Sequence, residues 1–361
     1  MNHFFKILFF LIPFLGFSQT AITDENIHSA TDLWDSDQTA CIDTYGHISN
    51  WDTSAVTNMA ELFYGHYYFD DDISQWDTSN VTTMYSMFHN AHGFNQDLSQ
   101  WDTSYVTTME NMFYNAHNFG GGQNLNSWNV SSVTNMENMF RGTMDSGDLG
   151  DLDNWNVGNV VTMKSMFQAA GNFSGDVTTW DVSNVTNMDS MFAGAYQFNQ
   201  DLGNWNVSNV SSMQEMFQST SLSTYNYDLL LIGWSELSLQ SNVTFDVVNV
   251  TYCNGYNARE YIIDNYNWTI TDAGYVGDNC SLSIIDNLEF SLTLYPNPTR
   301  DIVFIDGANT ELKAIVYDIL GKEVITEYIL DKIDISCLVR GTYFINISDG
   351  QSSITKRIIK N

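Results

Sequence analysis

The sequence predicts an α/β repeat solenoid, with one short strand and one short helix per 25-residue coil, followed by a small all-β sandwich. Three observations carry this. A near-copy of one stretch occurs seven times, beginning at Trp51, Trp76, Trp101, Trp128, Trp155, Trp180 and Trp205. A fixed period of this length marks units that bury their apolar face only by stacking on one another. Within each copy, apolar residues return at fixed offsets from the Trp. After residue 288 the pattern changes to short alternating runs separated by turn residues, as in packed sheets.

Residues 1–18 read as a secretory signal peptide. Lys6 precedes the apolar run from Ile7 to Phe17, and Gly16 and Ser18 are the small residues that place cleavage after Ser18. The run is shorter than the roughly 20 residues of a spanning helix, so no transmembrane segment is expected in the mature chain.

Residues 19–46 form the N-terminal cap. Ile22 to Ile27 and Asp32-Leu33-Trp34 predict a short helix leading into the first coil. A stacked array needs its end covered by an atypical unit.

Residues 47–223 form the seven-coil array. Counted from each Trp, position +1 is Asp or Asn, +5 is Val, and +8 is Met. Position +11 is Leu62 in the first coil and Met in the other six, and +12 is Phe in every coil. The steps of three and four residues from Val through Met to Phe predict one face of a short helix or helical turn. The piece before each Trp, such as Asp97-Leu98-Ser99-Gln100, reads as a short strand. Thirteen of the 15 Met stand at +8 and +11. That periodicity, beside a Phe column, makes them core rather than an adaptable binding surface.

The Asp or Asn at +1 suits an Asx turn or a helix cap. A second oxygen-rich column lies four residues before Trp: Asp72, Asp97, Asn124, Asp151, Asp176 and Asp201. It is the one candidate ladder for Ca²⁺, which takes oxygen ligands. The steps leading into coils four and five carry two-residue insertions, around Gly120-Gly121-Gly122 and Arg141 to Gly150, and insertions in such arrays map to loops on one face.

Residues 224–282 break the period and read as a C-terminal cap. Tyr227 to Leu237 and Ala258 to Tyr266 predict helices; Asn242 to Val250 and Trp268-Thr269-Ile270 predict strands. Cys253 and Cys280 bracket this segment and are candidates for a disulfide in an oxidising compartment. Residues 288–361 read as five short strands, at Leu292 to Tyr295, Ile302 to Ile305, Lys313 to Tyr317, Gly341 to Ile347 and Ile354 to Ile359.

The chain holds 12 Lys and Arg against 43 Asp and Glu, a formal charge of −31. Nucleic acid and anionic membranes are repelled by such a field. No G-x-S-x-G, H-E-x-x-H or phosphate loop is present. His92 and His117 are one coil apart and are expected to stack, and His66 replaces the Ala found at Ala91 and Ala116. No catalytic residue is singled out and no cofactor is expected.

The unit Trp76-Asp77-Thr78-Ser79-Asn80-Val81-Thr82-Thr83-Met84-Tyr85-Ser86-Met87-Phe88 resembles that of the BspA-like leucine-rich-repeat surface proteins. The resemblance implies a leucine-rich-repeat-like solenoid in a surface-exposed or secreted protein, with members linked to adhesion and no shared catalytic residues. Coil four departs from the pattern at Arg141-Gly142-Thr143-Met144. Residues 288–361 resemble the C-terminal sorting domain of the type IX secretion system of Bacteroidetes, through Leu294-Tyr295-Pro296-Asn297-Pro298-Thr299, Val316-Tyr317-Asp318-Ile319-Leu320-Gly321, Gly341-Thr342-Tyr343-Phe344 and Lys356 to Lys360. This implies engagement by that machinery and an extracellular or outer-surface location. The expected function is non-catalytic binding of a protein or glycan at the cell surface. The alternatives are a secreted hydrolase or an accessory module of one, and a structural surface-layer component.

Overall fold

The computed structural model describes residues 19–120, 124–143, 149–277, 293–295, 297, 299–306, 312–318, 322–348 and 353–360. The chain divides into two compact units, Met1–Cys280 and Ser281–Asn361.

In the first unit α1 (Ile27–Ser36) and α2 (Gln38–Tyr45) precede the coils. The sequence predicted one short helix here, and there are two. Asp37 separates them and accepts from the Ala40 amide at the start of α2. The coils follow, joined by parallel bridges at position +7, from Asn58 to Thr83 and onward through Thr108, Asn135, Thr162 and Asn187 to Ser212.

The Val–Met–Phe stretch was expected to be a short helix or helical turn, and it forms turns without a helix. Positions +10 and +14 lie at positive φ in every coil, as at Ser86 (φ 51°) and Asn90 (φ 60°) in the second. A right-handed helix excludes that conformation, which short polar residues and Gly tolerate best. The amides at +8, +10, +12 and +14 therefore leave their own coil. Met59, Glu61, Phe63 and Gly65 donate to the carbonyls of Thr83, Tyr85, Met87 and His89 in the next coil, at 2.8–3.1 Å. Between them, amides such as Met87, His89 and Ala91 close tight turns on the carbonyl three residues back. The apolar period of three to four arises from these linked turns. The expected strand before each Trp is likewise absent, replaced by a turn or, at Ile48–Asn50 and Leu125–Ser127, by a short 3-10 helix. Ser99 N–H, for example, donates to Asp97 Oδ1 at 2.9 Å.

Stacking places like residues on like. The Phe at +12 form an unbroken series from Phe63 to Phe217, with ring centroids 5.4–5.8 Å apart. A second Phe column at +18 lies against it, with Phe113 and Phe119 3.8 Å apart. All seven +8 Met are fully buried. Each such side chain contributes about 1.5–3 kcal/mol by leaving water. The Trp at the head of a coil buries its ring and donates its indole N–H to the preceding coil, as from Trp101 to the Ile73 carbonyl at 3.1 Å. At +2 the first three coils place buried Thr53, Thr78 and Thr103, whose hydroxyls donate to the next coil. The later coils place buried Val130, Val157, Val182 and Val207 there.

The period breaks after residue 223, but the stacking continues. In α3 (Thr224–Ser235) the indole N–H of Trp234 donates to the Leu202 carbonyl at 3.1 Å, as an eighth Trp of the series. Met213 bridges Phe245 in β1 (Thr244–Asp246), and β1 pairs in parallel with β2 (Thr269–Thr271). Between them, α4 (Tyr256–Tyr266) packs on α3. Buried Asp228 of α3 accepts the amides of Cys253, Asn254 and Gly255 at 2.8–2.9 Å and so anchors the turn that leads into α4. Asp272 accepts from both Tyr227 Oη and Arg259 Nε, at 3.0 and 2.7 Å.

Among the described residues of the second unit there are seven strands. One antiparallel sheet has the order β3 (Thr293–Tyr295), β4 (Ile302–Asp306), β7 (Lys332–Asp334). The other has the order β6 (Glu323–Ile329), β5 (Leu312–Asp318), β8 (Gly341–Ser348), β9 (Ser353–Lys360). Both contribute to one buried cluster that includes Val303, Ile333, Val316, Ile345 and Ile358. The sequence reading missed β6 and β7. Their residues, Glu323 to Ile329 and Lys332 to Asp334, carry charged and half-exposed side chains that hide the alternation.

One position tests how α3 closes on the last coil. A Cβ on Gly233 would stand 2.0 Å from the Gly203 carbonyl oxygen. In an isolated helix Ala is better than Gly by about 1 kcal/mol. Here Gly233→Ala is expected to destabilise the first unit by about 1–3 kcal/mol through overpacking, read as a lower denaturant midpoint by Trp fluorescence.

Candidate functional site: an aromatic and imidazole strip on the first four coils

The sequence-selected residues resolve into several roles. Asp72, Asp97, Asp176 and Asp201 each accept the amide two residues ahead, from Ser74, Ser99, Thr178 and Gly203, at 2.8–2.9 Å. Asp151 accepts the Asp176 amide at 3.0 Å. The candidate Ca²⁺ column is thus occupied with backbone bonds. Among the described residues no group of three or more His, Cys, Asp or Glu converges on a point that could hold a metal ion. The Asx at +1 does the same work in all seven coils, from Asp52 with Ser54 to Asn206 with Ser208. Bonds from the side chain and backbone of Ser79 hold the Asp77 carboxyl below its usual range, against the nearby charge of Asp52.

Cys253 is in a disulfide, whereas Cys41 and Cys337 are free. Its expected partner Cys280 lies outside the described residues, as do Ser18 at the expected cleavage point and parts of the inserted loops, residues 121–123 and 144–148. His66 packs its ring edge-on to Phe63 at 5.9 Å, with Nε2 3.6 Å from Asp32.

The structure gathers a surface feature that the column count passed over. At position +13 stand Tyr64, His89, Tyr114 and Arg141. Tyr64 and His89 rings are 4.6 Å apart, His89 and Tyr114 4.5 Å, and the Arg141 guanidinium lies 5.1 Å over Tyr114. At +16 stand Tyr67, His92 and His117. Tyr67 meets His92 edge-on at 4.9 Å, and His92 stacks on His117 at 4.4 Å and 7°. The stacking of His92 on His117 was expected from their spacing. Tyr64 and Tyr67 are half exposed, and Tyr68 is 94% exposed. The +13 column then turns to Gln168, Ala193 and Gln218, so its aromatic part is confined to the first coils. The signal was present in the sequence, one column from the buried Phe, where stacking coils must place it.

This arrangement spends the ring faces on one another and leaves ring edges for a ligand. Those edges carry phenol hydroxyls and imidazole nitrogens, which donate and accept hydrogen bonds. Stacked aromatic pairs add about 0.5–1.5 kcal/mol each beyond burial, so the strip is pre-ordered. Burial depresses the His89 pKa, against the charge of Glu61, and His89 Nδ1 is buried with no partner. Burial, and then the charge of His117, depress that of His92. Both shifts favour the uncharged ring.

The C-terminal sheets lie in a region that matches, over residues 293–361, the family described as a secretion system C-terminal sorting domain. This is the type IX class of sorting signal, so the chain is an exported protein, addressed to the cell surface or the extracellular space, that engages that machinery. No helix of the described residues is long and apolar enough to cross a membrane. Residues 36–149 and 144–242 match the family described as Mycoplasma protein of unknown function, DUF285. These matches cover more than half of the chain, and the chain belongs to that family. They run beyond the seventh Trp coil through α3, in keeping with the continued stacking there. No curated protein matches the chain.

His92 gives a pH expectation. A folded pKa below the ordinary value of about 6.5 means that the stability its neutral ring contributes is complete above that value. It is lost as pH falls through it towards the folded pKa. By ¹⁵N NMR, His92 is expected to titrate below about 6.5, and His117→Ala is expected to move it upward without restoring it fully.

Proposed function

We propose that this exported chain is a non-catalytic binding protein of the adhesion type. In this reading its coils form a leucine-rich-repeat-like solenoid that presents the strip from Tyr64 to Arg141 to a protein or glycan. The observation that carries the reading is the strip itself: two adjoining ring columns that meet across successive coils, with Tyr64 and Tyr67 half exposed. Aromatic residues and Arg are enriched where surfaces bind partners. The strip offers a row of fixed hydrogen-bonding edges rather than one nucleophile beside one base. The repeated backbone ladder keeps those edges in register at low entropic cost, as preorganised sites do.

A glycan and extracellular-matrix protein array probed with the purified full-length chain tests the reading. Binding without turnover is expected. Tyr114→Ala with His92→Ala is expected to weaken it about tenfold, a loss of about 1.4 kcal/mol, with the far-UV spectrum unchanged. Hydrolysis of an array member, abolished by one carboxylate substitution, would instead establish the hydrolase alternative.

A further inference from the structure

A second surface feature lies at the N-terminal end of the array. A cavity of about 330 Å³ is lined by Trp34, Asp35 and Gln38 from α1 and α2, and by Tyr68, Phe69 and Asp71 from the first coil. Its floor is aromatic. Trp34 and Phe69 are 3% and 5% exposed, and Tyr68 stands free at the rim. The Trp34 indole N–H donates to Asp71 Oδ2 at 2.7 Å, which fixes that carboxylate against the floor. Asp35, also in the lining, is exposed.

The surrounding charge is one-sided. Residues 19–140 hold 16 Asp and Glu and no Lys or Arg, Arg141 being the first cationic residue after Lys6. Over residues 1–280 the count is 4 Lys and Arg against 32 Asp and Glu, a net charge of −28, while residues 281–361 carry only −3. The carboxylates of the cavity therefore have no Lys or Arg from their own half of the array.

We propose that this cavity takes the side chain of a lysine or arginine presented by a basic protein partner. The chemistry of the walls selects that occupant. Aromatic faces attract an organic cation through the ring quadrupole, most strongly at Trp and Tyr. A long side chain lays its methylenes on such a floor while its charged head meets carboxylates. A bare metal ion has no use for the aromatic floor, and the charge of the array repels anionic ligands. The same field draws a basic protein and speeds its encounter. This proposal rests on the chain being a binding protein, but on residues other than those of the ring columns.

The test uses the purified full-length chain and a fluorescein-labelled octalysine peptide, followed by anisotropy at physiological salt. The double variant Asp35→Asn with Tyr68→Ala changes two exposed side chains and removes one negative charge. Asp181→Asn removes the same charge far along the array and preserves the turn, since Asn already serves in that column at Asn156 and Asn206. The proposal expects octalysine binding that falls about tenfold in the double variant and less than twofold in Asp181→Asn. Equal losses in the two variants would reduce the effect to the general field, and absence of binding in the wild type would also overturn the proposal. Tyr114→Ala with His92→Ala is expected to leave octalysine binding unchanged, so failure here is separable from failure of the ring-column reading.

Discussion

The alternation of backbone hydrogen bonds from +8 to +14 is the constraint on which the first unit depends. Every second amide in that stretch donates to the next coil, so no coil can satisfy its own backbone. A buried, unpaired amide costs about as much as several surface contacts supply. The ladder is also polar, which gives its two ends different needs. At the N-terminal end Asp24 accepts the amides of Thr57 and Asn58, and His28 bonds the Ala60 carbonyl at 2.7 Å. At the other end the carboxylate of Asp246 accepts the Glu215 amide. The caps are thus chosen by the unmet bond, not by a shared sequence.

Side chains follow the same logic. The indole bond to the preceding coil fixes one edge of the core, and the Phe series fixes the other. A helix can join this arrangement if it offers one Trp at the right depth and a glycine where backbones meet, as α3 does with Trp234 and Gly233. What repeats is the contact rather than the residue count, and for that reason stacking outlasts the period.

The sequence made the buried columns legible because a core position tolerates few residue types, and seven copies expose the restriction. It did not reveal the conformation of the Val–Met–Phe stretch, since steps of three and four arise from a helix and from linked turns alike. The positive φ at residues such as Glu61, Ser165 and Glu215 has no compositional mark as plain as Gly. The strip from Tyr64 to Arg141 was readable in principle, but along the +13 column each residue differs from its neighbour, and only His92 and His117 at +16 repeat. A search for identity passes over a column unified only by flat, stackable groups. The cavity beside Trp34 joins residues more than 30 positions apart, and only the packing of the cap brings them together.

The polarity of the ladder has an evolutionary consequence. Because every internal interface presents the same donors to the same acceptors, gain or loss of one whole coil by unequal recombination leaves both end caps facing their usual partners. The length of the array can drift in the genome without any new capping chemistry, whereas an insertion of a few residues must be absorbed as a loop. The two-residue steps from the third to the fifth Trp are of the second kind, and they lie beside the point where the rings of the +13 column give way to Arg141, Gln168 and Ala193.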